Sequence, residues 1–249
     1  MSFNVWKSLI DGTEIDVSAI PDSVRYHWET PIAGLSEGET VTNWPNETGG
    51  EDITGNNDLI YREGSVDGRD AVESDGVDDN GQATIPETGG DMDGGQAIGV
   101  TFKTTDTGKL LGARNDGQIL FLGTAPTPNI ELDGGDDGFL YVLWRDADGN
   151  NLEARSSTAV NDGTAYKALV QKNGNSASDI EIWLNETEET IGNTADQGVS
   201  TFNNWNRDMR FFAADDGSAS TSIEDYISAD VTRFTFYDSY QSDGDEPWF

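Results

Sequence analysis

Short runs of alternating apolar and polar residues, separated by turn-forming residues, constrain the fold of this chain more than any other feature. Each run has one apolar and one polar face if its backbone is extended. The clearest runs are residues 98–102, 180–184 and 233–237, and the more continuously apolar 119–122 and 139–144 are expected to be central strands. Asp-Gly and Asn-Gly pairs between the runs favour tight hairpins.

The pattern predicts an all-β chain of about ten to thirteen strands, with minimal helix confined to short turns in residues 3–9 and 203–209. Antiparallel strands without intervening helices bury their apolar faces most simply as a two-sheet sandwich or jelly roll. Residues 36–93 contain few apolar side chains and are expected to form long ordered loops. No linker or repeat divides the sequence, so we expect an N-terminal arm or first turn in residues 1–23 and a single domain in residues 24–249.

The charge of the chain excludes several classes of function. Its 249 residues include 14 Lys and Arg against 47 Asp and Glu, a formal net charge of −33. Such a surface repels nucleic acid and anionic membranes, and no apolar run is long enough for membrane insertion.

The sequence contains no cysteine, which excludes disulfides and zinc-thiolate sites. It contains one histidine, which leaves little for imidazole-based metal binding or catalysis.

The acidic excess also indicates a habitat. In molar salt the Debye length is about 3 Å, so repulsion between carboxylates is screened while their hydration keeps the protein dissolved. We therefore expect a protein of a halophile. The alternative is an acidic or calcium-rich extracellular domain.

Several stretches, in order along the chain, resemble the laminin-G-like members of the concanavalin A-like lectin and glucanase superfamily. They are GETVTNWPNETGG (38–50), VDGRDAVESDGVDD (66–79), AIGVTFKTTDTGKLLG (97–112), DGTAYKALVQKNGN (162–175), DIEIWLNET (179–187) and RFTFYDSYQSDGDE (233–246). The resemblance implies a twisted jelly roll of two antiparallel sheets. Its members are usually non-catalytic and occur in carbohydrate-binding, adhesive and virion-surface proteins, including structural proteins of tailed viruses of haloarchaea.

Glucanases of that superfamily place catalytic carboxylates along one strand as E-x-D-x-x-E. Glu14 and Asp16 match the first two positions, but the third acid would fall on Ala19. The match also lies before the first recognisable strand of the family. The sequence therefore predicts no catalytic residues and no enzyme.

Asp75, Asp78 and Asp79 place three carboxylates within five residues. Calcium, which takes six to eight oxygen ligands, would compensate their repulsion and is the one cofactor the sequence indicates. The alternative is that Asp75 and Asp78 accept backbone N–H bonds and close a tight turn through Gly76. A second acidic stretch, residues 146–150, is better explained as a hairpin turn.

Aromatic side chains on a sheet face can stack on the apolar faces of sugar rings. Trp183 is the first candidate because it alternates with Ile182 and Leu184, and Tyr237 and Trp205 are further candidates. The alternative for Trp183 is packing under a loop or a neighbouring subunit.

The other prominent aromatic residues are expected to be structural. They are the core anchors Trp28, Trp44 and Trp144, together with His27.

These observations favour a non-catalytic virion-surface subunit, such as a decoration, turret or tail-fibre protein, of a virus infecting a halophilic archaeon. Host-surface glycans, other virion proteins and further copies of the chain are the expected partners. Residues 1–12 lack the apolar stretch of a signal peptide, which suits a protein assembled inside the cell. The alternatives are a carbohydrate-binding or adhesive module at the surface of a haloarchaeal cell, and a glycoside hydrolase.

The net charge predicts salt-dependent folding. We expect the melting temperature to rise when dilute buffer is replaced by molar KCl, because screening relieves the repulsion between carboxylates. Circular dichroism at increasing KCl concentrations measures this. A melting temperature that is the same in both solutions would contradict the interpretation.

Overall fold

The computed structural model describes residues 24–86, 96–115, 118–124, 138–192, 195–199, 206–215, 223–224, 226–237 and 240–241. These ranges contain nineteen strands and one 3₁₀ turn, Ala177–Asp179, so the predicted all-β class is confirmed. The strands are β1 (Val24–Glu29), β2 (Asn43–Trp44), β3 (Ile53–Asn56), β4 (Ile60–Val66), β5 (Arg69–Asp75), β6 (Asn80–Pro86), β7 (Gln96–Thr104), β8 (Lys109–Asn115), β9 (Gln118–Gly123), β10 (Phe139–Arg145), β11 (Asn151–Ala159), β12 (Ala165–Lys172), β13 (Ile180–Leu184), β14 (Thr187–Glu188), β15 (Ala195–Asp196), β16 (Asn206–Phe211), β17 (Ala214–Asp215), β18 (Ile223–Glu224) and β19 (Ser228–Tyr237).

Two antiparallel sheets form the sandwich. Sheet A has the order β14-β13-β12-β7-β19-β5-β4, with β1 also paired to β19. Sheet B has the order β15-β11-β10-β9-β8-β16-β6-β3-β2. Strands β17 and β18 form a separate pair. In the part of the chain described, no helix is long and apolar enough to cross a membrane.

The core between the sheets is rich in aromatic side chains. Trp28, Trp44 and Trp144 are all fully buried, which confirms them as core anchors. The Trp28 ring meets Phe211 edge to face at 5.3 Å between centroids, and Phe211 meets Phe234 at 4.8 Å. Trp28 and Phe234 belong to sheet A and Phe211 to sheet B, so these contacts join the two layers.

The alternating runs form strands as predicted. Residues 98–102 lie in β7, 180–184 form β13, and 233–237 end β19. Strands β9 and β10, predicted to be central, each have neighbours on both sides in sheet B.

The expectation of long loops in residues 36–93 is wrong over much of that range, because β2 to β6 lie within it. The sequence pattern does not reveal these strands, because backbone hydrogen bonds to neighbouring strands stabilise them and few of their side chains are apolar. A few inward side chains, such as Ile53, Tyr61 and Val72, supply their contacts with the core. Residues 206–209, expected in a helical turn, belong to β16, which pairs with both β6 and β8.

A second apolar layer lies on the outer face of sheet B. Its buried members include Ile119, Phe121 and Leu143, which explains why β9 and β10 are apolar on both faces. Glu153 pairs in register with Leu143 and is only 1 % exposed. Its Oε2 accepts no hydrogen bond within the described chain, and burial raises the pKa of Glu153 to about 7, although Lys109 and Arg145 act in the opposite direction.

Glu153 therefore predicts a pH dependence of stability. The folded chain holds the Glu153 proton more tightly than the unfolded chain, whose glutamate pKa is near 4.5, so the free energy of unfolding falls as pH rises from about 4.5 to about 7. The loss is about 3 kcal/mol at most. Glu153→Gln should flatten this decline and raise the melting temperature at pH 8 in molar KCl.

Glu188→Gln, at an exposed position in β14, is the matched control and should leave the pH profile unchanged. Parallel profiles of Glu153→Gln and the unmodified chain would contradict the assignment.

Candidate binding site

The outer face of sheet A presents Trp183 as predicted. Along β13, Ile180, Ile182 and Leu184 are buried in the core, while Glu181 and Trp183 alternate with them and are half-buried. The indole packs beside an apolar cluster on the outer face, formed by Ala97, Leu169 and Tyr237, with Val24 next to it. One side of the Trp183 ring therefore packs against this apolar cluster, and the rest of the side chain remains partly exposed to solvent.

Hydrogen bonds hold the indole in place. Trp183 Nε1 donates to Glu181 Oε2 at 3.3 Å, and Gln171 Nε2 donates to the same oxygen at 2.9 Å. The Tyr240 hydroxyl donates to Glu181 Oε1 at 2.6 Å. Because Glu181 is itself held by two other side chains, the ring orientation is set before any ligand arrives.

Tyr237, the second aromatic candidate, is 4 % exposed and packs in the same cluster as Trp183. Burial raises the pKa of its phenol to about 12, which keeps it neutral. This position suits support of the Trp183 platform better than direct stacking on a ligand. Trp205, the third candidate, lies outside the described residues.

A groove of about 400 Å³ opens on the outer face next to Trp183. Its lining residues come from the β4–β5 hairpin, strands β7 and β12, and the β13–β14 turn: Val66, Asp67, Arg69, Thr101, Thr164, Ala165, Tyr166, Lys167, Asn185 and Glu186. Trp183 pairs in register with Leu169, and two residues further along lie Lys167 in β12 and Asn185 just after β13, whose N–H donates to the Lys167 carbonyl at 2.8 Å. The indole therefore lies on the same sheet face as the groove, one outward-facing position away from two of its lining residues.

The β4–β5 hairpin makes one wall of the groove. The pairing of β4 with β5 shifts register between Arg62 and Val66, where Gly64 has φ +64°, and the hairpin closes through Asp67 and Gly68, both with positive φ. Lys103 lies in β7 and Ser65 in β4, and two strands, β19 and β5, lie between them in the sheet. Lys103 Nζ nevertheless donates to the Ser65 carbonyl at 3.2 Å, so the hairpin bends over the outer face.

The opposite wall is the β13–β14 turn. Asn185 and Glu186 both have positive φ (48° and 67°), as a type I′ turn requires. Glu186 occupies the position that such turns usually give to glycine, at a cost of about 1 kcal/mol or more. Lys167 fixes this turn: its backbone N–H donates to Asn185 Oδ1 at 2.9 Å, and its Nζ lies 3.7 Å from Glu186 Oε1.

The floor of the groove contains a buried hydroxyl. Thr101 is 3 % exposed, and its Oγ1 makes no hydrogen bond within the described chain. A buried hydroxyl without a partner costs about 1–3 kcal/mol. Sequence analysis missed this groove because its residues come from four separate parts of the chain.

The three aspartates lie at a different place, in the loop between β5 and β6. Their carboxylates approach within 4.8 Å of one another, and Asp75 and Asp78 are exposed whereas Asp79 is buried. The donor set is all hard oxygen, which fits calcium. Asp79, however, already accepts backbone N–H bonds from Asp58 at 2.9 Å and from Asp75 at 3.1 Å, and Asp75 accepts one from Val77 at 2.7 Å.

These bonds match the turn interpretation, with Asp79 in the role expected of Asp78. Gly76 has φ +78°, and a Cβ there would lie 2.7 Å from the Ser228 nitrogen. Burial raises the pKa of Asp79, although the two N–H donors oppose this. Calcium binding by Asp75, Asp78 and Asp79 stays a prediction.

The remaining sequence predictions are placed as follows. Residues 146–150 connect β10 and β11 as the expected hairpin turn, in which the Asn150 N–H donates to Asp146 Oδ1 at 2.9 Å. His27 is buried and hydrogen-bonded to Thr235 and Glu29, as its structural interpretation requires. Glu14 and Asp16 lie outside the described residues.

No protein-family model matches the sequence, and no curated protein is significantly similar to it. Solved structures do resemble the fold. The botulinum neurotoxin serotype D binding domain matches 92 % of this chain with a TM-score of 0.57 at 8 % identity, and the HCR/D-Sa-GBL1/C structure matches 90 % with 0.58 at 10 %. Trypanosoma rangeli sialidase in complex with sialic acid matches 90 % with 0.54 at 12 %.

The chain spans half the length of the serotype D binding domain and of the HCR/D-Sa-GBL1/C chain, and about a third (32 %) of the sialidase. At these identities the likeness shows the fold alone, a jelly-roll-like sandwich of two sheets.

The aspartate loop gives a prediction that separates its two interpretations. Asp79→Asn should lower the free energy of unfolding by about 1–3 kcal/mol. Both carboxylate oxygens of Asp79 accept backbone N–H bonds, and the asparagine side chain would place its NH₂ group against one of these donors. Asp78→Asn, at an exposed position, is the control and should change stability little. On the turn interpretation, melting temperatures in molar KCl should be the same with calcium and with EDTA. A calcium-dependent rise that Asp78→Asn abolishes would instead establish a calcium site.

Proposed function

We propose that this chain is a non-catalytic carbohydrate-binding module and that the outer face of sheet A is its binding surface. The observation that carries the proposal is a partly exposed, pre-oriented Trp183 on the same sheet face as a groove lined by polar side chains. An aromatic platform beside a few convergent polar groups is the usual composition of a small-ligand site.

The groove offers the groups that a sugar needs. Thr164 and Asn185 can exchange hydrogen bonds with hydroxyls, and Asp67 and Glu186 can accept them. The fold supports the same conclusion by analogy, since the structures it resembles include neurotoxin binding domains and a sialidase in complex with sialic acid.

Glycoside hydrolysis is less well supported. Asp67 and Glu186 are the carboxylates that line the groove, and both are exposed to solvent. A general acid of a glycosidase is typically desolvated so that it keeps its proton near neutral pH. Release of reducing sugar from β-glucans by the purified protein would overturn the non-catalytic assignment.

The proposed setting is the surface of a virion that infects a halophilic archaeon, with a haloarchaeal cell surface as the alternative. The net charge of −33 and the resemblance to virion-surface jelly rolls support it. A homo-oligomer or an array with other virion proteins would add avidity to weak glycan contacts. Mass spectrometry of purified particles tests the setting, and absence of the chain from them would refute it.

Trp183→Ala tests the binding surface. Removing a central aromatic platform costs an interface about 1–2 kcal/mol or more, so signals on a glycan array in molar KCl should fall about tenfold or further.

Val77→Ser is the matched control, because Val77 is a 70 % exposed apolar side chain in the loop after β5, outside the proposed surface. It should bind like the unmodified chain. Equal signals for Trp183→Ala and Val77→Ser would refute the role of Trp183.

A further inference from the structure

The groove collects positive charge in a chain that has little of it. Of 14 basic residues in the whole sequence, Arg69 and Lys167 line the groove, and Lys103 contacts its hairpin wall. Arg233 adjoins Thr101 in the neighbouring strand and is buried. Burial lowers the pKa of Arg233, and the positive charge of Arg69 contributes to that shift against the effect of Glu29. The two guanidinium groups are therefore within electrostatic range of each other.

Arg69 is unusual among these cations. It is half-buried, and among the described residues no carboxylate lies within ion-pair distance of its guanidinium. Arg62, on the same hairpin, pairs instead with both Glu37 and Glu73.

Glu29 acts on Arg69 at longer range, while its carboxylate lies 3.7 Å from Arg233. Against the effect of its burial, the pKa of Glu29 is lowered by the hydrogen bond from His27 and by the charges of Arg233 and Arg69. An arginine that lines a groove with no carboxylate in direct contact among the described residues is suited to an acid from outside.

We propose that the groove binds a sugar that carries a carboxylate, of the uronic acid type, and that Arg69 receives the carboxylate. This inference rests on the carbohydrate-binding function proposed above. Lys167, whose Nζ lies 3.7 Å from Glu186, supplies a second positive charge at the groove.

The acidic residues that line the groove narrow the range of ligands that it can bind. Asp67 and Glu186 line the same groove and repel a ligand that carries several negative charges. A sugar with one carboxylate and several neutral hydroxyls suits both sets of groups, since hydroxyls donate to Asp67 and Glu186 while the carboxylate meets Arg69. Densely charged polyanions such as nucleic acids are disfavoured by the same carboxylates.

High salt makes the geometry of Arg69 decisive. At a Debye length of about 3 Å, attraction over a distance contributes little, and only direct contact between guanidinium and carboxylate remains. Arginine can form two parallel hydrogen bonds to a carboxylate, which lysine cannot. Arg69→Lys therefore keeps the charge and loses the bidentate contact.

The experiment compares two probes by isothermal titration calorimetry in 2 M KCl. One is a β-1,4-linked tetrasaccharide of glucuronic acid, and the other is its carboxyl-reduced counterpart made of glucose. We expect the unmodified chain to bind the acidic probe at least about tenfold more tightly than the neutral one. Arg69→Gln should remove this preference, and Arg69→Lys should retain only part of it.

Two further variants guard against loss of folding. Arg62→Gln changes an arginine on the same hairpin that is paired with Glu37 and Glu73 and does not line the groove, and should keep the preference. Thr101→Val preserves side-chain volume and removes a hydroxyl that is inaccessible and makes no hydrogen bond within the described chain, so it should also keep the preference without lowering the melting temperature.

The outcomes separate the two proposals. Equal affinity for both probes, unaffected by Arg69→Gln, would refute the acidic-sugar inference and leave carbohydrate binding intact. Absence of binding to either probe, together with a negative glycan array, would refute both. A preference for the acidic probe that Arg69→Gln leaves unchanged would place the carboxylate elsewhere and refute the role of Arg69.

Discussion

Aromatic packing across the gap between the two sheets is the interaction on which the rest of the structure depends. Trp28 and Phe234 from sheet A meet Phe211 from sheet B edge to face, at the centre of a core that extends to Tyr26 and Phe236. Because side chains alternate along a strand, fixing which residues point into this core also fixes which point away from it. The core therefore determines that Trp183, Lys167 and Thr101 share the outer face of sheet A.

The charge distribution adds the second constraint. A surface with a net charge of −33 is expected to need concentrated salt to screen it, and in that salt the proposed recognition would depend on direct contact. Positive side chains are then effective only where the fold holds them beside a cavity. The bent β4–β5 hairpin does this for Arg69, and the strained Asn185-Glu186 turn supplies the opposite wall. In the proposed function, binding specificity thus comes from two turns placed over a sheet.

The sequence predicted the features that follow from local periodicity. The class of fold, strands β7 and β13, the buried Trp144 and the outward direction of Trp183 all follow from alternation. The polar strands β2 to β6 were missed because backbone pairing, which leaves no mark in composition, stabilises them.

The groove could not be predicted, because Arg69 and Lys167 are distant in sequence and meet only through the strand order of sheet A. The most direct test is nuclear magnetic resonance of the protein in 2 M KCl during addition of the glucuronic acid tetrasaccharide. The account predicts shifts of the Trp183 indole N–H and of the Lys167 and Asn185 amides, with residues 75–79 unchanged. Shifts confined to residues 75–79 would contradict it, because the ligand would then bind at the aspartate loop.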